Sequence, residues 1–304
     1  MAVFVRFWGV RGSIPTPGPR TRRYGGNTSC LEIRSESTLL VFDAGTGLRE
    51  LGVALMRSAP ARGLDIHLFL SHPHWDHIQG FPFFTPAYHE STTLCVYGPE
   101  GDAKNYQLLS GQMNNAYFPV RFSDLKAKVV QKSFEDERVE VGDFVVRRFS
   151  QKHPGGSVGF RVDHSAGTVV YATDSELDQL LKDPQQPVKD PDSLRRLPAD
   201  LVKAIRGADL LVADAQYTDE EYLSRVGWGH PRASTVVDLA CDAQVKQVAL
   251  THHDPMHSDR DTDTKVSLAV DRARAHGSDV EVFGAREGVV LKLDGPPRDI
   301  RATR

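Results

Sequence analysis

A ten-residue stretch, Ser71 to Gly80, constrains this chain more than any other, because it places three histidines and a carboxylate within six positions. It follows an apolar run, residues 66–70, which indicates a buried strand, and Gly80 and Pro82 then interrupt regular structure. The candidate ligands are His72, His74, Asp76 and His77. The motif therefore lies where a strand ends and a loop begins, which is the position at which an α/β sheet exposes its functional residues.

The spacing within this motif predicts metal binding. His72 and His74 point the same way on an extended loop, because side chains alternate along such a chain, so they can bind one ion together. Asp76 and His77 follow where the chain turns towards a helix and can face a second point nearby. Neutral imidazoles and carboxylates are ligands for zinc, iron or manganese. A polar surface turn is the alternative, and four candidate ligands at the end of an apolar strand make it the weaker interpretation.

The composition is that of an ordinary globular protein with a buried core. Of its 304 residues, 40% are hydrophobic and 25% are charged. The formal net charge of -3 provides no global attraction for nucleic acid, although it does not exclude a nucleic-acid partner. The three cysteines are widely spaced and indicate reduced thiols rather than disulfides. Neither a signal peptide nor a membrane-spanning run is predicted, so we expect a cytoplasmic protein with no membrane partner.

The first loop of the chain is a candidate phosphate-binding loop. A predicted strand, residues 3–8, leads into a segment dense in glycine and proline, residues 9–19. Glycines let main-chain N–H groups approach an anion closely, and Arg11, Ser13 and Asn27 are the candidate contacts to a substrate phosphate. The alternative is an ordinary strand connection followed by a solvated basic turn, and the sequence leaves both interpretations open.

Histidines and aspartates recur at the ends of predicted strands along the whole chain. They are Asp43, His72, His153, Asp174, Asp214 and His252. Scattered polar residues would not keep this phase, so we assign them to one functional edge of an α/β fold. Residues 177–206 carry several prolines and charges and are interpreted as a helical insertion, so residues 1–304 are predicted to form a single domain.

With these residues assembled, the chain resembles the metallo-β-lactamase superfamily of metal-dependent hydrolases over nearly its whole length. Residues 72–77 match the His-x-His-x-Asp-His signature, and His153, Asp174 and His252 follow in family order. Within the superfamily the chain is most similar to the phosphodiesterase branch that includes ribonuclease Z and related cyclic-nucleotide phosphodiesterases. The N-terminal loop, the aspartate at position 174 and the stretch 209–230 carry this closer resemblance.

The chain departs from the ribonuclease Z pattern at several places. Asp214 stands where ribonuclease Z has a glutamate. The segment between His153 and Asp174 has room only for a hairpin, whereas ribonuclease Z carries a flexible basic arm that grips tRNA. The terminal motif contains two adjacent histidines, and we expect His252 rather than His253 to be the ligand, because it is the second residue after the last apolar position of its strand.

The resemblance implies a four-layer αββα sandwich in which each half of the chain supplies one sheet. It also implies two divalent metal ions, with zinc favoured and manganese or iron as alternatives. One ion would be bound by His72, His74 and His153, the second by Asp76, His77 and His252, and Asp174 would bridge them. Asp43 would steady the motif loop from behind the ligands.

The ligand set and the resemblance together predict hydrolysis of a small phosphodiester, such as a cyclic nucleotide. His230 is the candidate general acid, oriented by Asp214, and Asp76 is counted with them as catalytic. The alternative role for His230 is packing beside Trp228 at the start of a helix. The alternatives for the whole chain are a hydrolase of a lactone, lactam or thioester, a tRNA 3′-processing endonuclease, and a non-catalytic metal-binding module. A homodimer is left open.

Overall fold

The computed structural model describes residues 2–58, 63–98, 102–183 and 186–295. Its strands, in chain order, are β1 (Val3–Gly9), β2 (Cys30–Arg34), β3 (Leu39–Phe42), β4 (Leu64–Phe69), β5 (Thr92–Tyr97), β6 (Lys128–Lys132), β7 (Arg138–Val141), β8 (Phe144–Gln151), β9 (Ser157–His164), β10 (Gly167–Ala172), β11 (Leu210–Asp214), β12 (Gln247–Thr251), β13 (Glu281–Gly284) and β14 (Val290–Leu293).

The helices lie mainly between strands and after the strand ends. They are α1 (Gly47–Arg57), α2 (Trp75–Ile78), α3 (Asp102–Gln112), α4 (Gln186–Lys189), α5 (Ala199–Ile205), α6 (Asp219–Tyr222), α7 (Ala233–Asp242) and α8 (Asp259–Ala275), with 3₁₀ turns at Phe81–Phe83, Thr85–Tyr88, Phe122–Asp124 and Leu177–Leu180. No helix within the described ranges combines the length and the apolar composition needed to span a bilayer.

The strands form two seven-stranded mixed sheets that pack face to face. One sheet has the order β14-β1-β2-β3-β4-β5-β6 and the other the order β13-β12-β11-β10-β9-β8-β7. Strands β3 to β6 are parallel in the first sheet, and strands β10 to β13 are parallel in the second. Strand β14 pairs antiparallel with β1, so the expectation that each half of the chain supplies one sheet is wrong for this last strand.

Large aromatic side chains fill the space between the sheets. Phe42 and Phe69 come from the first sheet and Phe160 from the second, and all three are fully buried. The ring centroid of Phe160 lies 5.4 Å from that of Phe42 and 5.7 Å from that of Phe69. Burying such rings against one another is among the largest hydrophobic contributions that a core can contain.

Helices cover the outer face of each sheet and complete the four layers. Helix α1 buries Leu48, Leu51 and Leu55 against the first sheet, because their spacing of three and four residues places them on one face. Helices α5, α7 and α8 pack on the second sheet. The αββα sandwich is therefore confirmed. Because the parallel strands of both sheets end at the same edge of the sandwich, the residues that follow those strands are brought together there.

Candidate active site

The motif loop follows β4 and ends in α2, which is a single helical turn. His74 precedes that turn in an extended conformation, with φ -62° and ψ 150°. Asp76 and His77 then point inward and are buried, whereas His74 and Trp75 are exposed. This change from extended to helical backbone separates the motif into two pairs of side chains, as the sequence predicted.

The seven predicted metal ligands lie in two groups that share Asp174. One carboxylate oxygen of Asp174, Oδ2, lies 3.5 Å from His72 Nε2 and 3.7 Å from His153 Nε2. The other oxygen, Oδ1, lies 3.2 Å from His77 Nε2 and 3.3 Å from His252 Nε2. The first group is His72, His74, His153 and Asp174, and the second is Asp76, His77, Asp174 and His252. A carboxylate that offers one oxygen to each group is placed to bridge two ions.

The residues of both groups fit divalent metal ions. Within each group the candidate ligand atoms all lie within 4.8 Å of one another. In the part of the chain that the structure describes, the Nε2 atoms of His72 and His77 are buried without a hydrogen-bond partner. Both nitrogens lie near the Asp174 carboxylate, at 3.5 Å for His72 and 3.2 Å for His77, so they are directed into the ligand groups. Imidazole nitrogens and carboxylate oxygens are the donors that zinc and manganese accept.

Asp43 holds the motif loop from behind the ligands and joins it to the opposite sheet. Its carboxylate, fully buried, accepts hydrogen bonds from the Ser71 main-chain N–H at 2.8 Å and from the Ser71 hydroxyl at 2.9 Å. It also lies 2.8 Å from His77 Nδ1 and accepts a 2.8 Å hydrogen bond from the Tyr171 hydroxyl. A carboxylate on Nδ1 fixes the ring so that Nε2 faces the site.

Two further histidines are oriented in the same manner by groups from other elements. His153 Nδ1 lies 2.9 Å from the Gly229 carbonyl oxygen, which accepts a hydrogen bond from the Nδ1–H. His252 Nδ1 lies 2.9 Å from the Gln216 side-chain oxygen, and Gln216 was not among the predicted site residues. The main-chain carbonyl of Gln216 is in turn held by the Lys265 ammonium at 3.0 Å, in a buried position. No local pattern in the sequence marks Gln216 or Lys265 for these contacts.

Backbone strain is concentrated where strands deliver site residues. Asp43, Asp174 and His252 have φ values of 61°, 49° and 55°, in the left-handed region that residues with a Cβ seldom occupy. Each such residue costs about 1–3 kcal/mol, and such strain clusters at functional sites. The sharp turn directs each side chain across the edge of its own sheet towards the shared groups.

The predicted catalytic pair, His230 and Asp214, lies beside these groups. His230 Nδ1 is 2.8 Å from Asp214 Oδ2 and 3.9 Å from Asp174 Oδ2. The His230 ring stacks on that of His252, with centroids 4.8 Å apart. Burial lowers the pKa of His230, but the neighbouring carboxylates, Asp214 foremost, outweigh it and raise the pKa to about 9. One nitrogen of the His230 imidazole is thus held by a carboxylate, which favours its charged form.

Glu176 fixes the loop that carries His230, and the sequence analysis missed it. Its carboxylate is 2% exposed and accepts hydrogen bonds from the main-chain N–H of Gly227 at 2.6 Å and of Gly229 at 2.9 Å. It also accepts a hydrogen bond from the Tyr222 hydroxyl at 2.7 Å. The only available signal was its position two residues after Asp174, which does not reveal contacts some 50 positions away.

The first loop supports the site rather than opening onto it. The Arg11 guanidinium is fully buried and donates to the main-chain carbonyls of Gly25, Asp254 and His257, so its placement contradicts the predicted phosphate contact. Ser13 has an exposed side chain, and its main-chain N–H donates to Asp76 Oδ2 at 2.7 Å.

Asn27, the third predicted phosphate contact, and His253, the alternative terminal ligand, also make structural hydrogen bonds. The Asn27 side chain accepts from the Thr46 hydroxyl at 3.0 Å and donates to the Glu287 carboxylate at 3.0 Å, so it too lies in the framework. His253 is buried and donates from Nε2 to the Ala285 carbonyl at 2.9 Å, away from both groups. Of the two adjacent histidines, the structure therefore brings only His252 to the site.

Comparisons of sequence identify relatives that span nearly the whole chain. A ribonuclease Z of Halobacterium salinarum is 27% identical over 335 residues, which cover 98% of this chain and 100% of the relative. Residues 38–253, more than two thirds of the chain, match the family described as the beta-lactamase superfamily domain.

Comparisons of structure show the same fold. The metallo-β-lactamase fold protein YhfI from Bacillus subtilis superposes with a TM-score of 0.68 at 21% identity, covering 96% of this chain and 99% of that one. A diphosphatase of the PhnP family superposes with a TM-score of 0.65 at 16% identity, covering 97% and 100%. The family match, the paired sheets and the ligand motif together show that the chain belongs to the metallo-β-lactamase superfamily, a superfamily of metal-dependent hydrolases.

Proposed function

We propose that this protein hydrolyses a small phosphodiester, such as a cyclic nucleotide, with two divalent cations bound at the groups that share Asp174. The observation that carries the proposal is the His230–Asp214 pair, at 2.8 Å, directly beside those groups. The alkoxide that leaves a phosphodiester is a poor leaving group and needs a proton. A histidine held by a carboxylate can supply this proton. A thioester or an activated lactone needs such a proton to a smaller degree.

The chain's own residues divide the work as follows. Bound cations would neutralise charge on the phosphate and lower the pKa of a water molecule to give a nucleophile near neutral pH. Asp214 holds the Nδ1–H of His230, so that Nε2 is the atom able to give a proton to the leaving oxygen. Asp43 and Gln216 keep the Nε2 atoms of His77 and His252 directed at the site.

The names of the similar proteins support phosphoester chemistry. A ribonuclease cleaves phosphodiesters of RNA, and a diphosphatase cleaves a phosphoanhydride, so both relatives act on phosphorus–oxygen bonds. Between His153 and Asp174 this chain has only the β9–β10 hairpin, with a turn of two residues. The absence of a longer arm in this described segment favours a small substrate over a folded tRNA.

Processing of the tRNA 3′ end is the second candidate function. The 27% identity to a ribonuclease Z over nearly the full chain favours it. Hydrolysis assays on protein of known metal content separate the candidates. The substrates are a precursor tRNA with a 3′ trailer, a panel of cyclic nucleotides and a panel of lactones. Turnover of the small phosphodiesters at least tenfold above the other two would support the proposal. Preferential cleavage of the tRNA trailer would favour the second candidate instead.

The His230→Ala variant tests the role of the pair. On a phosphodiester with a poor alkoxide leaving group, we expect kcat to fall by roughly 10²–10⁴, the usual contribution of general acid–base catalysis. On a nitrophenyl ester, whose leaving group needs little protonation, the fall should be much smaller. Parallel assays of the two substrates, together with metal analysis of the variant, measure this difference.

The Asp214→Asn variant is the matched control, since it keeps the shape of the pair and changes only the orientation and basicity of the imidazole. It should show the same dependence on leaving group with a smaller loss. Equal losses on both substrates in His230→Ala would assign His230 to phosphate binding or to structure. Loss of metal from that variant would make His230 a ligand and overturn the proposed role.

A further inference from the structure

Two of the three tryptophans in the chain are largely exposed, and both lie within two positions of a histidine of the candidate active site. Trp75 is 63% exposed and directly follows His74. Trp228 is 62% exposed and lies two positions before His230. The third, Trp8, is 8% exposed and donates from its indole nitrogen to Glu32 at 2.8 Å. The chain therefore buries the tryptophan that lies in β1 and exposes the two that flank its site.

The His153 ring is contacted on two different edges by the segments that carry the two exposed tryptophans. His153 Nε2 lies 3.0 Å from His74 Nδ1, and His74 is the neighbour of Trp75. His153 Nδ1 lies 2.9 Å from the carbonyl oxygen of Gly229, the neighbour of Trp228. Since the two nitrogens lie on different edges of the imidazole, the tryptophan-bearing segments lie on different sides of that ring.

The main chain beneath each tryptophan is fixed, so their exposure does not reflect a loose loop. Trp228 lies between Gly227 and Gly229, whose φ values are 88° and 92° and whose N–H groups are both held by Glu176. Trp75 is the first residue of α2, and its carbonyl accepts from the Gln79 N–H at 2.8 Å. A platform that is already ordered loses little entropy when a ligand binds.

The rim between them is exposed and carries the open side of the ligand groups. Residues 73–75, 154–156 and 226–228 are exposed, whereas Asp76, His77 and Asp174 beneath them are buried. If a phosphate binds at the buried groups, these exposed segments are neighbouring surface that its organic substituents can contact. A nucleobase of any type can stack on an exposed indole face, because every base has a π-face.

We propose that the tryptophan pair, Trp75 and Trp228, binds the nucleobase of the substrate and so restricts this protein to phosphodiesters that carry a purine or pyrimidine. The inference rests on the proposed phosphodiesterase function for the identity of the group bound at the buried ligands. Base stacking on an aromatic side chain contributes about 1–3 kcal/mol, as measured by alanine substitution. Each tryptophan is a specificity-determining residue and takes no part in proton transfer.

A binding experiment tests the pair without turnover. Isothermal titration of metal-loaded protein with adenosine 5′-monophosphate and with ribose 5-phosphate compares a ligand that carries a base with one that carries a hydroxyl in its place. Wild type should bind the nucleotide at least tenfold more tightly. Trp228→Ala and Trp75→Ala should each weaken nucleotide binding by roughly 5- to 100-fold, from the stacking energy above. Both should change ribose 5-phosphate binding much less, and Trp→Phe variants should retain most of the affinity.

Leu268→Ala is the matched control, because Leu268 is 58% exposed on α8 and lies outside the site. Its nucleotide affinity should equal that of wild type. Equal affinity of wild type for the two ligands would overturn the proposal, as would Trp→Ala variants that retain full nucleotide affinity. If an alanine variant loses metal, the phenylalanine and leucine variants at the same position are compared instead. Nucleotide affinity that is lost in the leucine variant and retained in the phenylalanine variant supports stacking.

Turnover separates a failure of this inference from a failure of the proposed function. Thymidine 5′-(p-nitrophenyl phosphate) and ethyl p-nitrophenyl phosphate share a leaving group, and only the first has a base. Trp228→Ala should raise KM for the thymidine ester by roughly 5- to 100-fold and affect the ethyl ester far less. Hydrolysis of both esters at equal efficiency by wild type would overturn the tryptophan pair and leave the phosphodiesterase in place. Tight, tryptophan-dependent nucleotide binding with hydrolysis of neither ester would support the pair and overturn the phosphodiesterase.

Discussion

Asp174 shows how a single carboxylate can serve two metal positions. Its two oxygens face different groups of histidines, at distances of 3.2–3.7 Å. Burial opposes its ionisation, but the surrounding imidazoles, foremost those of His252 and His77, hold its pKa well below the usual range. The carboxylate is therefore ionised at neutral pH although it is fully buried. At the scale of single residues, the site depends on side chains that orient a neighbour.

Gln216 is the clearest test of such orientation. The Gln216→Met variant removes the oxygen that accepts the His252 Nδ1–H, so the ring loses the contact that directs Nε2 inward. We expect metal affinity at the group containing His252 to fall about 10- to 100-fold, the usual effect of losing a partner behind a ligand. Competition with a chromophoric chelator measures this affinity. Gln216→Glu, which keeps an acceptor, is the control, and wild-type affinity in the methionine variant would contradict the role.

At the scale of elements, the loop between α6 and α7 is held by contacts to the candidate ligand His153 and to Glu176. The main chain of Gly229 donates to Glu176 through its N–H and accepts from His153 through its carbonyl. Its φ is 92°, and a Cβ built at this position would lie 2.5 Å from His153 Nδ1. Both the left-handed backbone and the close approach require glycine here.

The Gly229→Ala variant should therefore displace His153 and weaken metal binding at the group that contains it. We expect the metal content to fall from two ions per chain to one. Gly277→Ala is the matched control, since Gly277 has a φ of 60° but meets no atom within 4 Å of an added Cβ. That control should lose only about 1 kcal/mol of stability and keep both ions. Elemental analysis and urea unfolding of the two variants make the comparison, and equal metal content would contradict the packing argument.

At the scale of the whole molecule, the site lies where the two halves of the sandwich meet. Asp43 and His77 lie on segments that follow β3 and β4 of the first sheet, whereas Tyr171 lies in β10 of the second sheet and Asp174 and His252 follow β10 and β12. The Tyr171–Asp43 hydrogen bond of 2.8 Å crosses between the sheets directly behind the ligands. Metal ions bound by residues of both halves would hold the two sheets together, so metal binding and stability are expected to be linked.

Removal of the metals should lower the stability of the whole fold. A ligand that binds only the native state stabilises it by RT ln(1 + [L]/Kd), which is about 2.7 kcal/mol for each ion at 100 times its Kd. Urea unfolding with and without a strong chelator should therefore give clearly different midpoints. His74→Ala removes one exposed ligand and should shrink this difference. An unchanged midpoint on chelation would show that the ions do not bind the native state selectively.

Short-range patterns in the sequence predicted the metal-binding motif of residues 72–77 and much of the secondary structure. His72, His74 and Asp76 follow a strand at alternating positions, and α1 repeats leucine at helical spacing, so both features appear within ten residues of sequence. Helix α3 and strands β6 and β7 were not predicted, because their segments contain few apolar residues in a regular period. Local pattern predicts an element only where burial makes that pattern strong.

Only the tertiary structure decided which polar residues face the site and which support it. Arg11 has the chemistry of a phosphate contact, yet carbonyls from residues 14, 243 and 246 positions away bury its guanidinium. Gln216 and Glu176 have no local signal, yet they orient His252 and the Gly227–Gly229 loop. The physical reason is the same in each case: hydrogen bonds between distant segments are set by how the two sheets pack, and that packing leaves no periodic trace in the amino-acid sequence.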